Sequence, residues 1–295
     1  MNFFPSRSRH CSECCVRRIT VNDREILEYY HRGVVAHLIG MDLALPLDVE
    51  MIRPGENEVA AAMRLLERAF QNYPRFFDAV IGDALYLESP FFNFCLDRNK
   101  YVVAVLKGNN PALLGDVRGL FAGQEPRVWN RDRQTIRYWH AEGFNSAEKI
   151  KTPLRVLHTE EIRNRRRRVA GEWKETTETQ SWYWATTIPE KLLSVHQLWQ
   201  VGHGRWDIEN DNFNTLSRDW ALDHCFKHDP TAILNFILTL FVAFVLLQSF
   251  YRGNLKPELQ RIFSTLIALA AEFHGSLGRL RCTAPWLEPR SGFPP

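Results

Sequence analysis

Arg205 and Glu209 stand four residues apart in Arg205-Trp206-Asp207-Ile208-Glu209-Asn210-Asp211-Asn212-Phe213-Asn214-Thr215-Leu216, where Trp206, Ile208, Phe213 and Leu216 recur among polar residues. On a helix this spacing puts the guanidinium and the carboxylate on one face, a turn apart. The plainest role for such a pair is surface stabilisation of about 0.3 kcal/mol. The chemical alternative is a carboxylate held beside an arginine, as metal-dependent phosphoryl transfer requires. A second acid, Asp83, follows the apolar Val80-Ile81-Gly82. One carboxylate at a strand end and another on a packed helix suit two divalent ions about 3.5–4 Å apart, which serve the attacking and leaving oxygens. Taken alone, Asp83 equally suits the cap of a turn.

Two further groups carry chemical potential. Cys11-Ser-Glu-Cys14-Cys15 contains a CxxC pair, but no second CxxC follows it. Zinc sites use four ligands and often a second pair. His10 and His31 are the helpers within reach in sequence. Free thiols on a strand or turn are the expected state, and no residue is assigned to zinc. The run Arg163-Asn164-Arg165-Arg166-Arg167-Arg168 is the most basic segment. It suits either a solvated strand edge or contact with a phosphate backbone.

The elements that must position these groups follow from periodicity. Two strands over 31–51 lead to an amphipathic helix over 56–73, in which Val59, Met63, Leu66 and Phe70 recur at helical spacing. A strand over 77–86, a helix opened by Ser89-Pro90 and a strand over 101–107 make a βαβ unit, which favours a parallel pair. A helix opened by Pro111 ends near Phe121. From 123 to 188 the pattern turns to polar alternation between charged turns, the mark of antiparallel strands. Beyond Pro189 the chain reads as helical. One helix over 190–201 is broken at Gly202 and Gly204, and another runs from Arg205 to Leu216. Residues 233–250 form an apolar run of eighteen, interrupted by Asn235, Thr239 and Gln248. A membrane span needs about 20 such residues; a helix buried against the sheet is expected instead. A last amphipathic helix covers 257–273, and the Pro-rich tail over 283–295 is loose.

The chain has 295 residues, 45% of them hydrophobic, enough for a sizeable core. Its net charge of +3 says little about partners, but residues 131–170 hold eleven Lys/Arg against five Asp/Glu. The opening residues, with Pro5, Arg7 and Arg9 and no apolar run, carry no secretory signal. A cytoplasmic protein with reduced cysteines is expected.

The phrase Gly204-Arg205-Trp206-Asp207-Ile208-Glu209-Asn210, with Phe213-Asn214 and a later Asp223-His224, resembles the C-terminal signature of DDE transposases of the insertion-sequence IS4 type. Arg205 and Glu209 match the Arg and Glu of that signature, Val80-Ile81-Gly82-Asp83 matches the second acid, and the likeness extends over about residues 10–250. The resemblance implies an α/β fold: a ribonuclease H-like mixed sheet flanked by helices, with an inserted antiparallel β subdomain. The divisions it suggests are 1–122 for the first part of that domain, 123–188 for the insertion, 189–280 for its helical remainder and 281–295 for the tail. It further implies DNA cleavage and strand transfer in transposition, Mg²⁺ or Mn²⁺ as cofactor held by Asp83 and Glu209, and Arg205 as a third catalytic residue. Transposon ends and target DNA are the implied partners, contacted by Arg165, Arg166, Arg167, Arg168 and Arg218; a homodimer is possible and no membrane is involved. Two departures stand out. No acid precedes Glu13, where an opening strand would carry the family's first Asp, and the Lys of the signature has no counterpart, Arg218 being the nearest cation. The expectation is a transposase truncated at its N-terminal side and catalytically inactive. The alternatives are a DNA-binding remnant, a protein anchored in a membrane by residues 233–250, and a structural zinc protein.

Overall fold

A computed structural model describes residues 2–132, 134–147, 149–169, 172–208, 213–224 and 227–283. The chain builds two sheets. The first comprises β1 (Asn2–Ser6), β2 (Cys15–Val21), β3 (Arg24–Leu38) and β4 (Leu45–Ile52). All pairings are antiparallel, and the long β3 meets β2 along its first half and β4 along its second. On its other edge β1 pairs with β3 from Tyr29 to Arg32.

The second sheet has six strands in the order β5-β6-β10-β9-β8-β7. They are β5 (Ala79–Gly82), β6 (Tyr101–Val105), β7 (Arg127–Arg131), β8 (Gln134–Phe144), β9 (Leu154–Val169) and β10 (Glu172–Thr186). The βαβ expectation is met: β5 and β6 run parallel, Val80 opposite Val102, and helix α2 (Ser89–Leu96) crosses between them. The strands of the basic, polar stretch do not form a sheet of their own, because β10 pairs directly with β6 through Trp184, Ala185 and Thr186. The sheet is therefore mixed, and helices flank it: the α/β, ribonuclease H-like class.

Alternation decides which side chain enters which layer. On β6, Val102 and Ala104 face one core while Val103 and Val105 face the other, as a period of two dictates. The first core packs under α1 (Glu58–Asn72), α2 and α3 (Pro111–Ala122), through Leu66, Phe70, Phe91, Phe92, Leu113 and Val117. The second packs under α4 (Val195–Gly204), through Val195, Leu198 and Trp199 against Trp184 and Leu157. A third core joins the first sheet to α5 (Asn214–Trp220) and α6 (Pro230–Gly253), through Val35, Val49, Leu216, Ile237 and Phe244.

The C-terminal helices depart from expectation in three places. The helix ahead of the signature starts at Val195, behind a capping box of Ser194 and Gln197, and runs through Gly202 to Gly204. Gly202 does not break it. A Cβ there would lie 2.4 Å from the Trp184 indole, so the glycine lets the helix seat directly on the ring. The signature departs from a helix at its start, where Arg205 and Trp206 form a turn after α4; Asp207 and Ile208 are helical, residues 209–212 lie outside the described ones, and Phe213 is helical and leads into α5 at Asn214. The last helix is split into α7 (Pro257–Ile262) and α8 (Leu266–Thr283), with the Thr265 hydroxyl accepting the Ala268 N–H where the second begins.

Helix α6 is long and apolar enough to cross a membrane, a test that a core helix also passes. Ile233, Ile237, Phe241, Phe244 and Gln248 are buried on one face, whereas Val242 and Leu246 are 60% and 64% exposed. One face thus covers the first sheet and the other stays open, where an evenly apolar pattern predicts burial all round. Gln248 is the polar interruption with a purpose. Its side-chain amide donates to the Ala44 carbonyl at 2.9 Å, and its carbonyl accepts the Ala44 N–H at 3.1 Å.

Candidate functional site

Asp83 emerges from the C-terminal end of β5 as an exposed carboxylate. It accepts the Leu85 N–H at 2.9 Å and so caps a single 3₁₀ turn, Ala84–Tyr86. The capping role and the candidate catalytic role coincide in one residue. Gly82 is required beside it by close packing, since a Cβ would meet the Tyr86 ring at 2.8 Å. The Tyr86 hydroxyl donates to Glu58 at 3.1 Å, and Arg32 donates to the other oxygen of Glu58 at 3.2 Å. Burial, and next the negative charge of Glu58, push the Tyr86 hydroxyl far above its usual range, so it acts only as a donor here.

A cavity of about 390 Å³ opens between β3 and β5. Gly33 to Leu38 line one wall, Ala79 to Asp83 the other, and Ala62, Leu65 and Ala69 of α1 the floor. Arg205 and Ile208, on the far side of the chain in sequence, reach the same cavity. The Arg205 guanidinium lies 4.7 Å over the Trp206 ring, which fixes its direction. Two of the three candidate catalytic residues, Asp83 and Arg205, thus share one cavity. Glu209 lies outside the described residues, as do Asn210, Asp211 and Asn212.

The turn that carries Arg205 is held from below by a buried acid that sequence reading missed. Glu161 on β9 is 5% exposed and accepts bonds from Trp199 at 2.8 Å, His203 at 2.6 Å and Gln134 at 2.8 Å. Burial alone would raise its pKa, but these donors outweigh it and hold the carboxyl below its ordinary range. Trp199 and His203 sit one turn apart on α4, so Glu161 clamps the helix that ends at Arg205. The i,i+4 spacing of Trp199 and His203 was visible in the sequence; the partner on a strand about forty residues earlier was not.

The DNA-contact candidates fall on two surfaces. Beyond Arg163, the last residue of β9 paired with β8, strands β9 and β10 continue as a two-stranded arm. Arg165 to Arg168 lie on it opposite Thr176, Glu175, Lys174 and Trp173. Arg166 is exposed and pairs with Glu175 at 2.9 Å; Arg165 and Arg167 are placed by backbone register alone. Arg218 on α5 is exposed and forms a two-pronged pair with Asp219 at 2.7 and 2.9 Å.

The divalent ions implied for the cavity need several carboxylates that can turn toward one point. Of the acids lining it, Glu58 is already held by Arg32 and Tyr86, which leaves Asp83. Among the described residues no group of three or more His, Cys, Asp or Glu side chains gathers at the Asp83 end of the cavity. The described donors alone therefore do not fit a two-ion centre.

Compared with known protein families, residues 28–246 match the family described as the transposase DDE domain. No curated protein matches the chain. The matched segment covers about three-quarters of the sequence, from β3 through most of α6, and includes Asp83, Arg205 and Glu209. By this match, on a mixed sheet whose β5 delivers an acid to a cavity shared with Arg205, the chain belongs to the transposase DDE domain family.

Proposed function

We propose that this is an IS4-type transposase-family protein that retains DNA binding and has lost efficient DNA cleavage and strand transfer. The observation that carries the proposal is the cavity between β3 and β5, lined by Asp83 and Arg205 but by no second uncommitted carboxylate among the described residues. DNA is the partner and divalent ions the cofactor that the family brings. In this chain Asp83 and Glu209 would hold an ion, and Arg205 would direct its positive charge into the cavity where a phosphate would lie. When bound, the ions would supply Lewis-acid activation of the phosphodiester. With two acids the ligand set is too small for near-octahedral Mg²⁺ without several waters.

The wall arrangement supports the second part of the reading. The described pairing of β1 along its edge of β3 ends at Arg32, just where the cavity lining begins. Among the described residues β5 pairs only with β6, so its other edge faces the cavity. A further strand seated there would be a place for the family's first acid beside Asp83.

The test is a nicking assay on supercoiled plasmid and on linear DNA bearing family-like ends, with Mg²⁺ or Mn²⁺. The chain should give no cleavage above the Glu209→Gln control. Robust metal-dependent cleavage that Glu209→Gln abolishes would refute inactivity and would require another acid, such as Glu13 or Asp42, in the place of the first Asp.

A further inference from the structure

Cys11, Cys14, His31 and His228 come from three separate parts of the chain, yet one ligand atom from each lies within 4.8 Å of all the others. Cys11 and Cys14 sit on a tight turn ahead of β2, His31 in the middle of β3, and His228 in the segment that leads into α6. The spacings are Sγ to Sγ 3.6 Å, each Sγ to His31 Nε2 3.5 Å, and Cys14 Sγ to His228 Nδ1 3.2 Å. A zinc ion with bonds of about 2.3 Å to sulfur and 2.0–2.1 Å to nitrogen has tetrahedral edges of roughly 3.8 Å between sulfurs and 3.6 Å between sulfur and nitrogen. Four of the six spacings stand close to those edges, and all six are within 4.8 Å.

We propose that these four side chains form a closed Cys₂His₂ site for a structural Zn²⁺ ion. The surroundings fit a ligand set better than a chance meeting of polar groups. His228 Nε2 donates to the Phe4 carbonyl at 2.9 Å, so its proton is committed there and the Nδ1 lone pair faces the sulfurs. The Cys11 N–H donates to Cys14 Sγ at 3.2 Å, which stabilises a thiolate, and the turn is closed by the Cys14 N–H on the Cys11 carbonyl at 3.3 Å. Cys14 and His31 are 7% and 3% exposed, and the other two are partly covered. Two sulfurs and two imidazoles, the soft and borderline donors, select zinc over oxygen-seeking Mg²⁺ or Ca²⁺. Four protein ligands leave no open position, so the ion would hold structure and do no chemistry. It would fasten the Cys turn, β3 and the start of α6 to one another, and β1 through Phe4. Neither Cys15 nor His10 belongs to the set; His10 packs on the Tyr29 ring 5.0 Å away.

Elemental analysis of the purified, reduced full chain should find about one zinc per chain, and Co²⁺ should replace it with the visible absorption of a tetrahedral, thiolate-bound ion. Cys14→Ser and His228→Gln should each lower zinc content at least about tenfold, while Cys15→Ser leaves it unchanged. Should those variants fail to fold, the wild-type chain still decides the matter. Chelation should expose Cys11 and Cys14 to alkylation together, with Cys95 still protected in its core. Three results would overturn the proposal: no zinc or cobalt uptake by reduced protein, a Cys11–Cys14 disulfide with no metal binding after reduction, or full zinc content in a folded His228→Gln chain.

Discussion

His158 shows how far a single titratable side chain in the sheet can shape the acid behaviour of this protein. It lies flat against Tyr183 with ring centres 3.9 Å apart and against Trp139 at 4.7 Å, and its Nε2 meets the Ser181 hydroxyl at 3.1 Å. Burial, with a smaller push from Arg118, lowers its pKa from 6.5 to about 4. A folded-state pKa below the unfolded one means the unfolded chain takes up the proton first. Stability is therefore lost as pH falls from about 6.5 to about 4, by at most on the order of 3 kcal/mol, and the loss levels off below that. His158→Phe keeps the stacking and removes the proton site. The difference between wild type and variant in urea midpoint should grow across that pH window; a constant offset would show that His158 titrates normally. Asp83 illustrates the other kind of residue-scale outcome. Its position after an apolar strand was legible, and so was its suitability as a cap, but only the cavity it shares with Arg205 gives the acid something to act with.

At the scale of elements, α4 is the piece on which the site depends. Its start was obscured in the sequence because the apolar pattern runs on from Pro189, and the capping box at Ser194 is what sets it. Its end at Arg205 is held by the Glu161 clamp beneath. Glu161→Ala should cost about 3 kcal/mol, since the buried Trp199 donor and the half-buried His203 and Gln134 donors would lose their acceptor. Glu161→Gln keeps one acceptor oxygen and should cost less. Urea denaturation of both variants checks this, and equal losses would mean that one acceptor oxygen is not enough and that the full carboxylate is what holds the three donors. The β9–β10 arm is the second such element. Changing Arg165, Arg166, Arg167 and Arg168 together to Ala should weaken DNA binding by similar factors for unrelated sequences, because phosphate contacts carry no base information. The slope of log affinity against log salt should fall by roughly one for each arginine–phosphate pairing that the substitutions remove. An unchanged slope would leave the arm as a solvated strand edge, with Arg166 serving only Glu175.

Across the whole molecule, the two sheets are bridged by α1, which packs on β3 and β4 and also contributes to the core of the six-stranded sheet. Helix α6 closes the first sheet from the other side, with Gln248 bonded to Ala44. A membrane-spanning α6 would have to give up that buried face and strand the Gln248 amide in hydrocarbon, at a cost of several kcal/mol. Carbonate washing should leave the chain out of the membrane pellet; retention in the pellet would make the open face of Val242 and Leu246 a lipid contact.

Local pattern was enough for much of this protein. The alternation of β6, the amphipathic α1, the Ser89-Pro90 start of α2 and the parallel β5–β6 pair all follow from side chains within about two dozen residues of one another, and from these came the place of Asp83, while the mixed α/β class came with the family resemblance. The Arg205 turn reads as helix because its apolar spacing is helical, while the structure ends α4 just before it, with Trp199 and His203 held by a strand acid distant in sequence. The Cys₂His₂ cluster was hidden for the same reason. Its fourth member lies 214 residues from Cys14, so no spacing rule can pair them until β3 and the start of α6 have packed together. Contacts between neighbours in sequence are set by periodicity and sterics, whereas contacts between distant segments exist only once the cores have formed and fixed which faces meet.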